Sequence, residues 1–233
     1  MTIALPIRMA QLQGHQCEAK GCTAPINRIG RWCRVHQDKY SKYGSPTGRR
    51  LKRDKDYQWE WDLVKELVGR NREHPGLVRA QEWVSQFFPP EVPGQVAPEV
   101  EPKVKPESRK ALTLTFFRLS DGGITPLDVI IEAAALYVVS EWRSHFLDDQ
   151  VALTRQTGTQ VIFLAVLGTT IKLERDGKKQ YRTKRIPNSL RHLVGAAIRG
   201  ALGSLLLNMA QSVIRKVEAD EQAQHDLRKP FSI

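Results

Sequence analysis

The chain has 233 residues, 41% of them hydrophobic and 26% charged, which is enough apolar material for one substantial core or two small ones. Its net charge is +11 and unevenly spread: residues 1–55 hold twelve Lys or Arg against three acids, residues 56–110 eight against ten, and residues 111–233 sixteen against twelve. An odd count of three cysteines excludes a fully paired disulfide scaffold, and a cationic N-terminal quarter selects polyanionic partners, nucleic acid ahead of an acidic membrane.

The stretch Met1 to Ala10 is short and carries Pro6 and Arg8, so it does not read as a secretory leader. With the cysteine count, it sets a reducing, cytoplasmic location as the expectation. The next stretch contains every cysteine of the chain. Cys17, Cys22, Cys33 and His36 are separated by four, ten and two residues, the paired short spacings with which a Cys3His set closes a tetrahedral zinc site. Gly21 permits a tight bend between the first two ligands, and Cys33 and His36 share a face if a helix begins near Trp32. His15 is an alternative ligand ranked below His36. A small unit with little core of its own needs such a cross-link.

From Arg31 to Tyr43 the pattern predicts a helix, with Cys33, His36, Tyr40 and Tyr43 to one side and Arg34, Lys39 and Lys42 to the others. Gly44 and Pro46 end it. The run Arg49, Arg50, Lys52 and Arg53 follows directly, and these seven cations form the first candidate nucleic-acid surface.

The ligand spacing, the aromatic-Cys dipeptide, the basic and aromatic run and the closing Gly44-Ser45-Pro46 together resemble a small zinc-binding module of bacteriophage and mobile-element proteins. Some of those relatives are HNH-type homing endonucleases. The resemblance covers about 30 residues, 17–46, and implies zinc and a mobile-element context. The chain departs from the family pattern at Arg31-Trp32 before Cys33, at Gln37 after His36, and at Ser45 in place of Asp. An HNH nuclease also needs histidines and an asparagine on a strand-turn-strand-helix frame, and no such constellation is legible; His74, His145, His192 and His225 are scattered. A four-ligand zinc site has no open position for substrate. Catalysis is therefore not expected.

Residues 56–70 and 76–88 predict two short helices, with Trp59, Leu63 and Leu67 on one stripe and Val78, Trp83 and Phe87 on the other. This hairpin backs the zinc module, giving a first domain over 1–88. Six of the thirteen prolines then fall within 89–110, the composition of a semi-rigid linker between separate domains. Beyond it, Thr125 as N-cap, Pro126 at the first helical position and Asp128 at the capping-box position open a strong helix with an apolar run behind them. Residues 150–168 predict a second helix, weakened by Gly158, and residues 190–217 a third. Arg199 near the middle of that third apolar stretch favours a buried or oligomerising helix over a membrane span, so no transmembrane segment is expected.

Between these helices, Asp176-Gly177 is a type I′ turn dipeptide flanked by Thr-, Ile- and Tyr-bearing strands. Lys178, Lys179, Arg182, Lys184 and Arg185 make this ribbon the second candidate nucleic-acid surface. The expected fold is thus mostly α: an N-terminal zinc module with a helical hairpin (1–88), a Pro-rich linker (89–110), and a C-terminal helical domain with a β-hairpin (111–233). The expected function is that of a non-catalytic, zinc-containing DNA-binding accessory protein of a phage or mobile element, with DNA favoured over RNA. An HNH-related divalent-metal nuclease is one alternative. An adaptor that oligomerises or binds a protein partner through its C-terminal helices, with purely structural zinc, is another.

Overall fold

In the computed structural model the described residues are 16–26, 30–88, 115, 119, 123–143, 147, 149–166, 171–175, 178–182 and 187–228. The expected linker, His15, His145, the Asp176-Gly177 turn, Lys184 and Arg185 lie outside them. The chain is mostly helical, as its patterning predicts. Helix α1 spans Arg34–Tyr43, α2 Gln58–Arg70, α3 Pro75–Ser85, α4 Pro126–Trp142, α5 Gln150–Val166 and α6 Asn188–Arg228. A π-helical turn, Arg53–Tyr57, leads into α2. Between α5 and α6, Ile171–Arg175 (β1) and Lys178–Arg182 (β2) pair antiparallel, Ile171 opposite Arg182 and Arg175 opposite Lys178.

Helix α4 is the centre of the molecule. Its first turn carries the expected capping box: the Thr125 hydroxyl accepts from the Asp128 backbone N–H at 3.2 Å, and the Asp128 carboxylate accepts from the Thr125 N–H at 2.8 Å. From Val129 to Val139 every side chain is buried, so the helix has no wet face. That run has no amphipathic period because α2, α3, α5 and α6 surround it.

Helices α5 and α6 pack most closely. A Cβ built on Gly158 would lie 1.9 Å from the Arg191 carbonyl oxygen, and one on Gly195 would lie 1.8 Å from that of Thr154. Only glycine permits backbones to approach this far. The expectation that Gly158 weakens the helix is thereby answered: it stands where α6 crosses. Helix α6 runs eleven residues past the expected end at Val217, and Glu218, Asp220 and Glu221 on it are exposed. Residues 188–224 of it are long and apolar enough to cross a membrane, and about a third of the most apolar window is buried inside the protein.

Two expectations need correction. The first concerns domains: the helical hairpin and the C-terminal helices are not separate bodies. Leu51, Tyr57, Val64, Val68, Leu77, Ala80 and Val84 share one hydrophobic core with Val129–Val139, Val161, Val194, Ile198 and Leu206. The apolar stripes of α2 and α3 are too narrow to close on each other, so they close on α4.

The second concerns the α2 stripe. Its buried positions are Glu60, Val64 and Val68, one residue on from Trp59, Leu63 and Leu67. Trp59 is 46% exposed and rests on Trp142 with ring centroids 5.0 Å apart. The stripe can turn this way because Arg143 pairs with the buried Glu60 carboxylate at 2.9 Å. On α3, Val78 is exposed and Leu77, Ala80 and Val84 are buried, with Phe87 beyond the helix.

Candidate metal centre and its cationic surroundings

The N-terminal knuckle is built by short backbone bonds. Gln16 and Pro25 form an isolated antiparallel bridge, the Cys17 N–H donates to the Ala24 carbonyl at 3.0 Å, and the Cys22 N–H donates to that of Ala19 at 2.9 Å. Gly21 takes φ 76 at the bend between them. Cys33 is the N-cap of α1, one residue before its first turn, so His36 projects from that turn back over the knuckle. The helix begins three residues later than Arg31, and Gly44 ends it in the left-handed conformation at φ 80 with its N–H on the Tyr40 carbonyl. A Cβ at Gly44 would lie 2.5 Å from the Ala152 backbone, so α1 ends hard against α5.

Cys17, Cys22, Cys33 and His36 converge as the spacing predicts: their ligand atoms all lie within 4.8 Å of one another. His36 Nδ1 is 3.3 Å from Cys17 Sγ and 3.4 Å from Cys33 Sγ. Tetrahedral ligands at about 2.3 Å (S) and 2.0 Å (N) from a common ion sit roughly 3.5–3.8 Å apart, so the set fits one metal ion. The three thiols are unpaired by disulfide.

The Cys33 N–H donates to Cys17 Sγ at 3.2 Å. Burial opposes ionisation of Cys17, but backbone N–H groups of Cys33 and Ala19, with His36 and Cys22 beside it, bring its thiol down to about 6. Cys22 moves the other way. A backbone hydrogen bond at Ala24 favours its thiolate, but burial and the neighbouring Cys17 and Cys33 sulfurs hold its pKa above the ordinary value. Crowded thiols that resist ionising together are what a bound cation would relieve.

The expected cations separate into used and free. Arg34 is exposed, Lys39 is half-buried, and Lys42 pairs with Asp38 one turn earlier. The arginines of the run from Arg49 to Arg53 are engaged by other groups of the protein. Arg49 forms a two-pronged pair with Asp56, at 2.7 and 2.6 Å, which holds Asp56 below the usual carboxylate range. The Arg50 guanidinium lies 3.3 Å from the Phe163 ring centroid. Arg53 bonds the buried Glu132 carboxylate at 3.0 Å and lies 4.8 Å from the Trp61 ring centroid. The Gln156 and Gln160 amides, from α5, donate to the Arg49 and Leu51 carbonyls. Of the four, only Lys52 is exposed without an ion-pair partner among the described residues. Lys178, Lys179 and Arg182 stand on β2.

Sequence reasoning does not reach two features of this surface. Glu132 is buried and accepts a hydrogen bond from the Tyr57 hydroxyl, and nothing in the spacing separates it from an exposed helical glutamate. Arg155 and Arg191 are also unmarked; the one available signal is that each interrupts an apolar helix. Comparison with protein-family models, with curated proteins and with solved structures finds no match.

Proposed function

We propose that the chain is a non-catalytic, zinc-containing DNA-binding accessory protein of a phage or mobile element. The observation that carries this reading is the convergence of Cys17, Cys22, Cys33 and His36 at the start of a helix that bears Arg34, Lys39 and Lys42. Three thiols and one imidazole form the soft, closed set that suits zinc and leaves no position for substrate. Bound there, zinc would neutralise the thiolates and lock α1 to the knuckle; Arg34, Lys39 and Lys52 then stand on a fixed scaffold toward phosphates. The β2 cations, with Lys184 and Arg185 beyond them, would give a second contact. The chain is taken as water-soluble and cytoplasmic, with α6 a helix of the protein body.

A second reading has its own support. Arg49 and Arg53 are held in ion pairs, and a basic run committed to internal contacts favours an adaptor whose zinc is structural and whose partner is a protein or a second copy.

One experiment separates the two. The full chain is purified, its metal counted by mass spectrometry, and its binding to duplex DNA, single-stranded DNA and RNA followed by anisotropy across a salt series. One zinc per chain and a steep salt dependence on duplex DNA support the DNA-binding reading. One zinc with no nucleic-acid binding at low salt supports the adaptor.

A further inference from the structure

Where α1, α5 and α6 meet, four arginines gather that no acid among the described residues pairs with. Arg155 comes from α5, Arg191 and Arg199 from α6, and Arg50 from the segment after α1. Among the described residues their hydrogen-bond and ring partners are neutral. Arg155 bonds the Tyr40 carbonyl and lies 5.4 Å from the centroid of the same ring. Arg191 reaches the Thr159 hydroxyl at 3.3 Å, and Arg199 reaches the Gln150 amide oxygen and the Thr154 hydroxyl, each at 3.3 Å. The Nε atoms of Arg50, Arg155 and Arg191 are buried with no hydrogen-bond partner. Among the described residues none of the four joins an ion pair.

Elsewhere the protein treats buried charge differently. Buried Glu60 has Arg143, and buried Glu132 has Arg53. Asp54 and Glu132 lie close enough to act on Arg50 electrostatically, but Glu132 is already taken. Burial draws the Arg50 and Arg191 guanidinium groups below the ordinary arginine value, and Arg50 adds repulsion at Arg191. His192 beside them is open to solvent on one side, and partial desolvation, then Arg155 and Arg199, hold its pKa below the ordinary value. Unpaired, partly desolvated cations are costly to hold, and a polyanion would remove that cost.

We propose that this arginine cluster receives a phosphodiester backbone, with Arg50, Arg155, Arg191 and Arg199 meeting successive phosphates. The inference rests on the nucleic-acid reading and moves its main contact from the basic run to this cluster. Guanidinium forks match phosphate oxygens in pairs. Arg191 and Arg199 are eight residues apart on α6, about 12 Å at 1.5 Å per residue, too far for one phosphate to bridge.

The test uses the full, metal-loaded chain, with Arg191→Gln/Arg199→Gln as one variant and Arg191→Lys/Arg199→Lys as another. Arg50 and Arg155 stay untouched because they hold α1 and the segment after it. Thermal unfolding is followed with and without tripolyphosphate, and duplex DNA binding across a salt series. The Gln pair is expected to unfold no lower than the parent without anion, because it removes repulsion. It should also lose the upward shift with tripolyphosphate and flatten the DNA salt slope by about 2, near 0.9 for each phosphate contact. The Lys pair should keep most of the slope.

A parent-like slope and tripolyphosphate shift in the Gln pair would overturn the cluster's role and leave DNA binding standing. A parent that binds no nucleic acid overturns both. Anionic lipid vesicles bound in place of DNA through the same two arginines would overturn the phosphodiester assignment.

Discussion

The knuckle and the helical body are held together by different physics. Around the candidate metal ligands the buried apolar set is Cys17, Ala19, Ile26 and Cys33, with Cys22, Ala24 and Trp32 packed beside it. Two of those four buried residues are candidate ligands, so little burial remains for stability. The body instead buries an uninterrupted apolar stretch of α4 from Val129 to Val139, apart from Glu132, inside four other helices. A structure with few apolar side chains must constrain its chain by a cross-link, whereas one with a closed core is constrained by packing. The two regions meet at Gly44 against Ala152 and at Arg155 on Tyr40, so α1 belongs to both.

The largest expected effect breaks the first region and spares the second. Chelation of the metal, or Cys22→Ser, should abolish the ordered knuckle over residues 16–33, because structural zinc supplies about 10–16 kcal/mol of apparent folding free energy in small domains. Hydrogen exchange should show fast amides at Cys17, Glu18 and Cys22 while α2 to α6 stay protected. Near-stoichiometric zinc retained by Cys22→Ser would remove that residue from the ligand set.

Next in size is a change that breaks only the body. Gly158→Ala places a methyl group 1.9 Å from the Arg191 carbonyl oxygen, a backbone atom with no side-chain freedom to yield. The helices must part, and the loss should reach about 3 kcal/mol, the upper end of ordinary overpacking. Urea unfolding followed by circular dichroism measures it, with zinc content unchanged in the folded variant.

How much of this was legible depends on what each region's order rests on. The ligand set could be read because metal coordination demands residue types at short spacings, and those are sequence properties. The α4 cap was legible for the same reason: Thr125, Pro126 and Asp128 act within one turn. The union of the hairpin with the later helices was not, since it depends on which face of α2 turns inward. Glu60 at that face reads as polar until Arg143, distant in sequence, is seen to pair with it. The internal use of Arg49 and Arg53 escapes for a like reason: an arginine run reads as a free surface until its carboxylates are located. Gly158 reads as a weak point in a helix because its partner Gly195 is distant in sequence.

A pH-dependent effect of intermediate size sharpens the contrast, because it should arise in the body alone. Burial raises the Glu132 pKa above its ordinary value of 4.5, partly offset by the Tyr57 hydroxyl and Arg53. A carboxyl raised in the folded state contributes stability that is fully present below about 4.5 and lost as pH rises through the folded value. Each unit between the two values is about 1.4 kcal/mol. Glu132→Gln keeps an acceptor for Tyr57 and removes the ionisation. The difference in urea midpoint between variant and parent should therefore grow in the variant's favour as pH rises from 5. A difference that stays constant with pH would show that Glu132 ionises as readily in the folded chain as in the unfolded one.

The smallest effect tests whether local signals still matter once a core has closed. The Thr125 hydroxyl and the Asp128 carboxylate satisfy backbone donors at the first turn of α4, at a position exposed to water, while the helix interior is held from all sides. Thr125→Ala removes one acceptor and leaves the packing intact, so the loss should be about 1 kcal/mol, the usual cost of an N-cap. Thr125→Asp should recover most of it, since Asp caps as well as Thr and its charge suits the positive end of the helix. Matched urea titrations of the three proteins measure this. If Thr125→Ala cost as much as Gly158→Ala, α4 would owe its position to its first turn, and the body would depend on a local device much as the knuckle is proposed to depend on a metal. If Thr125→Ala changed nothing, water would replace the hydroxyl fully at this exposed end.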